Sequence, residues 1–236
     1  MLLTIGTAFI LSKLIGSKKN RTEAQLKQKI SETEMAALKA QMNPHFMFNC
    51  INSIDAFIQT NDKYNATLYL NKFAKLIRNV LDSSKQNVVV FSKDIETLRL
   101  YIELEELRSE NKFSVQINVD QELLNSDYKV PPLIIQPFVE NAIIHGLRNK
   151  TGNDGLLKID IWKIEEHIIY TITDNGIGRW AAGKINTGKE KSYGIEMSYD
   201  RIKLFNNETT PSVNIADLSD DEEATGTQVT VTLKIL

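Results

Sequence analysis

Residues able to do chemistry fall in two parts of the chain. The first is Asn43-Pro44-His45-Phe46. An imidazole is nucleophilic and titrates near neutral pH, so His45 can serve as acceptor, acid or base. The second part holds four short signals. Glu140-Asn141-Ala142-Ile143-Ile144-His145-Gly146 sets three polar side chains in an otherwise apolar run. Asn141 and His145 are four apart and share a helix face. An amide oxygen there can ligate Mg²⁺, which prefers oxygens and few protein contacts. Asp174-Asn175-Gly176-Ile177-Gly178 ends an alternating run. A carboxylate at that point can accept a hydrogen bond from the exocyclic amine of adenine, and the two glycines let the backbone pass close to a ligand. Residues 181–194 combine Gly183, Gly188 and Gly194 with Lys184, Lys189 and Lys191. Such a loop, entering a helix near Gly194, suits phosphate. Gly226-Thr227 opens the last alternating run.

Each signal has an ordinary alternative when taken alone. His45 could be a kink histidine bonded to nearby backbone. The polar groups of 140–145 could be a solvated helix face. Asp-Asn-Gly is a common strand-ending turn, and a Gly/Lys loop is a common surface loop.

The elements around these residues narrow the choice. Met47, Ile51, Ile54 and Ile58 recur at helical spacing, so a helix runs through Pro44. A proline in a helix interior costs roughly 3 kcal/mol and disfavours helical geometry at the residue before it. Gln41, His45, Asn49 and Asn52 form a polar line beside the apolar face. After the polar turn 59–63, Leu70, Phe73, Ile77 and Val80 mark the apolar face of a second helix. A strand-like run, Val88 to Phe91, leads to Ser92 as the expected N-cap of a third helix with Asp94 and Glu96 in its first turn. A helical hairpin with unpartnered apolar faces completes itself as a four-helix bundle, here by homodimerisation.

Period 2 then takes over. Phe113–Val119, Leu157–Ile161, Ile168–Ile172 and Val229–Ile235 alternate as strands. Pro131-Pro132 is expected to open a helix over Leu133–His145, capped by Gly146, and Ile195–Asn206 reads as another helix. The expected fold class is α+β: a helical hairpin followed by a mixed sheet covered by helices.

Composition sets outer limits. The net charge of −2 argues against a nucleic-acid surface as the main function. The single cysteine, Cys50, precludes an internal disulfide and a thiolate zinc site, and reads as a small core residue. Residues 1–15 are strongly apolar and precede Ser17-Lys18-Lys19-Asn20-Arg21, a pattern that fits the tail of a membrane helix with its cytoplasmic flank. A short anchor or a buried helix would give the same run. Residues 22–40 are rich in Glu, Lys, Gln and Ala, with a thin seam of Leu26, Ile30 and Ala37 that suits a coiled-coil-like connector. The expected division is 1–16 membrane-helix remnant or anchor, 17–37 linker helix, 38–111 helical dimerisation unit and 112–236 nucleotide-binding domain.

The order and spacing of the four downstream signals resemble the boxes of the GHKL (Bergerat-fold) ATP-binding domain. With Leu38-Lys-Ala-Gln-Met-Asn-Pro-His-Phe-Met-Phe-Asn and Gln136-Pro-Phe-Val-Glu-Asn-Ala-Ile-Ile-His-Gly, the chain from about Glu34 on is similar to LytS/YehU-type sensor histidine kinases. The resemblance implies a kinase that phosphorylates its own histidine with Mg-ATP. It would then pass the phosphoryl group to an aspartate of a response regulator, of the LytTR type. His45 matches the phosphoacceptor, Asn141 the Mg-ATP asparagine, Asp174 the adenine-binding aspartate, and Gly176 and Gly178 its glycines. His145, Lys191, Gly194, Gly226 and Thr227 complete the expected nucleotide set. The catalytic region is expected to be cytoplasmic and membrane-attached.

Four positions depart from the family's pattern. Ser192-Tyr193-Gly194 stands where Gly-x-Gly is frequent, and Met197 where an asparagine is frequent. Pro137 occupies the place of the water-activating glutamate of GHKL ATPases, which favours direct transfer to His45 over hydrolysis. Phe46 follows the histidine where many histidine kinases have an acid, so Glu140 is the candidate base on chemistry alone. A different GHKL ATPase or kinase, and a membrane-tethered scaffold with a degenerate ATP pocket, are the alternative readings.

Overall fold

The computed structural model describes residues 44–109, 112–179, 193–220 and 223–235, which fall in one unit, Pro44–Leu236. The apolar N-terminal run, the linker helix and Lys191 lie outside the described residues.

Helix α1 (Pro44–Gln59) turns back at Asn61, in the left-handed conformation that asparagine tolerates, into α2 (Lys63–Ser83). Asp62 caps α2 by accepting the Asn65 N–H at 3.1 Å. The hairpin closes on Cys50, Ala66, Tyr69, Leu76 and Val80, with the rings of Phe57 and Tyr69 5.9 Å apart. Cys50 is a core residue as expected, and burial pushes its thiol up to about 11. Only part of each spaced face packs within the hairpin. Ile51, Ile58 and Leu70 are 52%, 62% and 50% exposed, and the inward positions are their neighbours. Both helices carry apolar residues on more than one face, and the helix that follows them covers one of these faces.

Strand β1 (Val89–Val90) leads directly into α3 (Phe91–Arg108). Ser92 is not the cap. The first helical N–H, that of Phe91, donates to the Tyr128 carbonyl at 2.8 Å, so a residue distant in sequence satisfies it. Phe91 then packs on Tyr170, which makes α3 part of the sheet's core as well as the hairpin's neighbour.

The remaining elements are β2 (Phe113–Val119), the short α4 (Gln121–Leu124), β3 (Lys129–Val130), α5 (Gln136–Asn141), β4 (Gly155–Ile164), β5 (His167–Asp174), α6 (Tyr193–Asn206), β6 (Val213–Asp220) and β7 (Glu223–Lys234). β1 pairs with β3. The main sheet has the order β2-β4-β5-β7-β6, with β2–β4 parallel and the other pairs antiparallel. Leu157, Ile159, Ile161, Ile168, Tyr170, Ile172, Val231 and Leu233 bury one face of it, and Ile134, Ile135, Phe138, Ile143 and Ile202 are buried as well. Trp162 and Ile164 stand half exposed. The α+β class with a helical hairpin ahead of a mixed sheet is as expected.

Two elements depart from the sequence reading. β6, Val-Asn-Ile-Ala-Asp-Leu-Ser-Asp, is a polar edge strand without clean alternation. The helix expected over Leu133–His145 starts only at Gln136, because Leu133 takes φ +57°, which no α-helix allows. The buried Asp94 carboxylate imposes that turn by accepting the Leu133 N–H at 2.7 Å. Arg201 of α6 holds the preceding Pro132 carbonyl at 2.7 Å.

Candidate functional site

His45 follows Pro44 at the start of the described part of α1.

Glu140 and Asn141 end α5. The chain does not stop there but widens into a π-turn, Ala142–Gly146, followed by a 3-10 turn, Leu147–Asn149. A widened turn leaves carbonyls to satisfy, and Asn149 Nδ2 donates to those of Ile144 (3.2 Å) and His145 (3.1 Å). Gly146 therefore does not cap the helix. Its role is steric: a Cβ there would come 2.7 Å from Asp174 Oδ1. His145 is exposed on this turn. Glu140 accepts from Gln136 Nε2 at 2.9 Å.

Asp174 ends β5 and is 4% exposed. Its Oδ1 accepts the Gly176 N–H at 2.9 Å, and it also accepts the Thr227 N–H. Burial nevertheless dominates and pushes its carboxyl up to about 6. Three glycines make this position buildable. A Cβ on Gly176 would overlap the Gly146 backbone, and one on Gly226 would overlap the Asp174 carbonyl. Gly226 has φ +147° and Gly178 φ +71°, conformations that side chains disfavour. Asn175 pins the same turn by accepting the Leu156 N–H at 2.7 Å and donating to the Asp154 carbonyl at 3.0 Å. Arg179 then pairs bidentately with Asp217 at 2.6 and 2.7 Å, tying the turn to β6.

Asp174 and Gly176 thus meet Gly146 of the Asn141 segment, and Gly226 and Thr227, distant in sequence, close on Asp174. Gly194, in the first turn of α6, comes to the other end of that segment: a Cβ there would lie 3.6 Å from Pro137 Cβ. Pro137 and Asn141 are four apart and share a face of α5. Four of the five expected groups of site residues are therefore gathered on the α5–π-turn segment. Lys191 lies outside the described residues, and of His45 only the backbone is described.

The donor set suits a nucleoside triphosphate. A recessed carboxylate fits an amine edge, close glycine backbone fits the body of a ligand, and a helix N-terminus at Gly194 fits phosphate. Among the described residues no cluster of three His, Cys, Asp or Glu could hold a metal by itself. Asn141 would be one oxygen ligand to a Mg²⁺ otherwise held by phosphate and water. The spacing alone did not disclose Gly146 as a contact, nor the roles of Asp94, Arg201 and Asp217. Only the pairing of α3, β5 and β6 with this segment shows them.

The histidine kinase family model matches residues 33–113. Sensor histidine kinase/phosphatase LytS of Staphylococcus aureus strain Mu50 is 36% identical over 177 residues, covering 73% of this chain and 29% of that protein. The same protein of strain N315 gives the same figures. The chain thus spans less than a third of the length of the curated relatives it matches. Among solved structures, the histidine kinase domain of the Erythrobacter litoralis EL346 blue-light activated histidine kinase matches with TM-score 0.45 and 12% identity, over 85% of this chain and 93% of that one. The mycobacterial sensor histidine kinase MprB matches with TM-score 0.44 and 12% identity, over 63% and 97%.

Proposed function

Because residues 33–113 belong to the histidine kinase family and the chain is similar to LytS beyond them, we propose that this protein is an ATP-dependent protein-histidine kinase with His45 as its phosphoacceptor. The observation that carries the nucleotide half is the recessed Asp174 carboxylate, held against Gly146, Gly176 and Thr227 beside the Asn141 segment.

ATP is the phosphoryl donor, and Mg²⁺ neutralises its phosphates. Asp174 accepts the adenine amine, which selects adenine over guanine. Asn141, one turn after the Pro137 that Gly194 approaches, would orient the triphosphate through Mg²⁺. The neutral His45 imidazole attacks the γ-phosphorus in line. Its lone pair forms the N–P bond as the bridging P–O bond breaks and its electron pair leaves with ADP. The imidazole proton passes to a base, for which Glu140 is the candidate. Positioning and charge neutralisation do most of the work in such a transfer. An aspartate carboxylate of a response regulator then attacks the same phosphorus, and His45 regains its pair and a proton. Pro44 has no N–H to donate, which would loosen the helix there and ease movement of His45 between the two partners. A LytTR-type regulator, the homodimer and the membrane tether belong to the same reading. No helix among the described residues is long and apolar enough to cross a membrane, so a tether would come from residues 1–15.

Incubation of the purified chain with Mg²⁺ and γ-labelled ATP tests this. Acid-labile label is expected in the wild type and lost in both His45→Gln and Asn141→Ala. Label retained in His45→Gln would point to another GHKL kinase. Absence of nucleotide binding would leave a scaffold.

A further inference from the structure

Tyr101 of α3 stands between the two functional motifs. Phe46, the residue after His45, lays its ring against Tyr101 with centroids 5.0 Å apart and planes at 43°. Tyr101 is 1% exposed, and its hydroxyl is buried without a hydrogen-bond partner among the described residues. The carboxylates that act on that hydroxyl are Glu140 first and Glu105 second, with the Arg108 guanidinium and the Cys50 thiol opposing and adding smaller effects. Glu140 is the residue before Asn141. One side chain thus touches the neighbour of the phosphoacceptor, and the carboxylate acting most strongly on its hydroxyl belongs to the neighbour of the Mg-ATP asparagine.

A role in packing alone does not account for this residue. A buried hydroxyl with no partner costs stability, and phenylalanine would fill the same space without that cost. Aromatic contacts are also directional, so the Phe46 ring has a preferred seat on Tyr101 and α1 a preferred register on α3.

We propose that Tyr101 is a positioning residue for phosphoryl transfer. Its ring sets the register of α1, and its hydroxyl donates to the Glu140 carboxylate when α1 moves to present His45. The inference rests on the kinase reading. In the described state Glu140 accepts from Gln136. A further donor arriving at that carboxylate would hold the end of α5, and with it Asn141, in step with His45.

The test measures, on the full chain, the initial rate of acid-labile labelling at saturating Mg-ATP and the affinity for a fluorescent ATP analogue. Wild type and His45→Gln first establish labelling at His45. Tyr101→Phe is then expected to lower the rate about tenfold, with analogue affinity within twofold of wild type and an equal or higher thermal midpoint. Phe46→Leu is expected to lower the rate at unchanged affinity, and the double variant to be no slower than the slower single one. Tyr101→Phe at the wild-type rate overturns the inference while leaving the kinase reading intact. So does a loss of affinity that matches the loss of rate. A wild type that binds the analogue but takes no label overturns both.

Discussion

Asp174 is kept at a cost to the fold. Its carboxyl titrates near 6 in the folded chain against an ordinary 3.8, because burial outweighs the Gly176 and Thr227 N–H donors. A raised folded value means that the folded state holds this proton more tightly than the unfolded chain. The stabilisation is complete below about pH 4 and is lost as pH rises through 6, roughly 3 kcal/mol in all. Asp174→Asn removes the titration and keeps the shape. Its thermal midpoint relative to wild type should rise between pH 4 and 6 and level off above. The same variant should weaken ATP by about 1.5–3 kcal/mol, a factor of about 10 to 100, through loss of the charged acceptor. Melting curves across that pH range and a titration with ATP check the two halves. A pH-independent difference would mean that Asp174 is not held in a dry site. The motif was legible in sequence because Asp174, Gly176 and Gly178 are near neighbours. The steric role of Gly146 was not, since what presses on it lies 28 residues away.

At the scale of elements, α3 is the part that binds hairpin to sheet. Glu105, fully buried, receives Arg108 at 2.7 and 2.5 Å and Arg148 at 2.5 Å. Arg148 follows the π-turn, so this carboxylate anchors the far end of the Asn141 segment as Asp94 anchors its start. Removing one member of a buried ion cluster strands the others, at a cost of about 3–5 kcal/mol. Glu105→Gln, isosteric but uncharged, should destabilise the chain by about 3 kcal/mol in denaturant unfolding, and a change below about 1 kcal/mol would show that the arginines find solvent instead. These anchors explain what the sequence could not reveal. The start of α5 depends on a carboxylate 39 residues upstream, and the cap of α3 on a carbonyl just ahead of the strand that joins β1. Both override local preference: Pro131-Pro132 and Ser92 are good helix openers that tertiary bonds leave unused. β6 escaped notice because an edge strand with one solvated side needs no strict alternation.

For the whole molecule, the hairpin leaves an apolar surface that calls for a partner. Phe48, Ile51 and Ile58 lie along α1 and Leu70 on α2, each at least half exposed. A monomer seldom leaves such a stripe in water, and pairing two hairpins into a four-helix bundle would cover it. The combined Ile51→Glu, Ile58→Glu variant should weaken self-association by about 2 kcal/mol or more, roughly thirtyfold, with little change in unfolding midpoint. Sedimentation at several concentrations reads this directly, and unchanged association would place the dimer contact elsewhere. Spacing predicted apolar helix faces here, unpartnered within the hairpin, without saying which of their residues the hairpin covers by itself. Periodicity marks apolar positions and leaves to tertiary packing which of them a chain covers by itself.

The central claim is that the phosphoryl group of ATP comes to rest on His45. The chain has three histidines, His45, His145 and His167, so the claim can be decided by locating the label. After reaction with Mg-ATP, digestion and mass spectrometry at alkaline pH should find one acid-labile phosphoryl group on the peptide that contains Asn43-Pro44-His45-Phe46. A phosphoryl group on His145, His167 or a hydroxyl side chain, with that peptide unmodified, would contradict it.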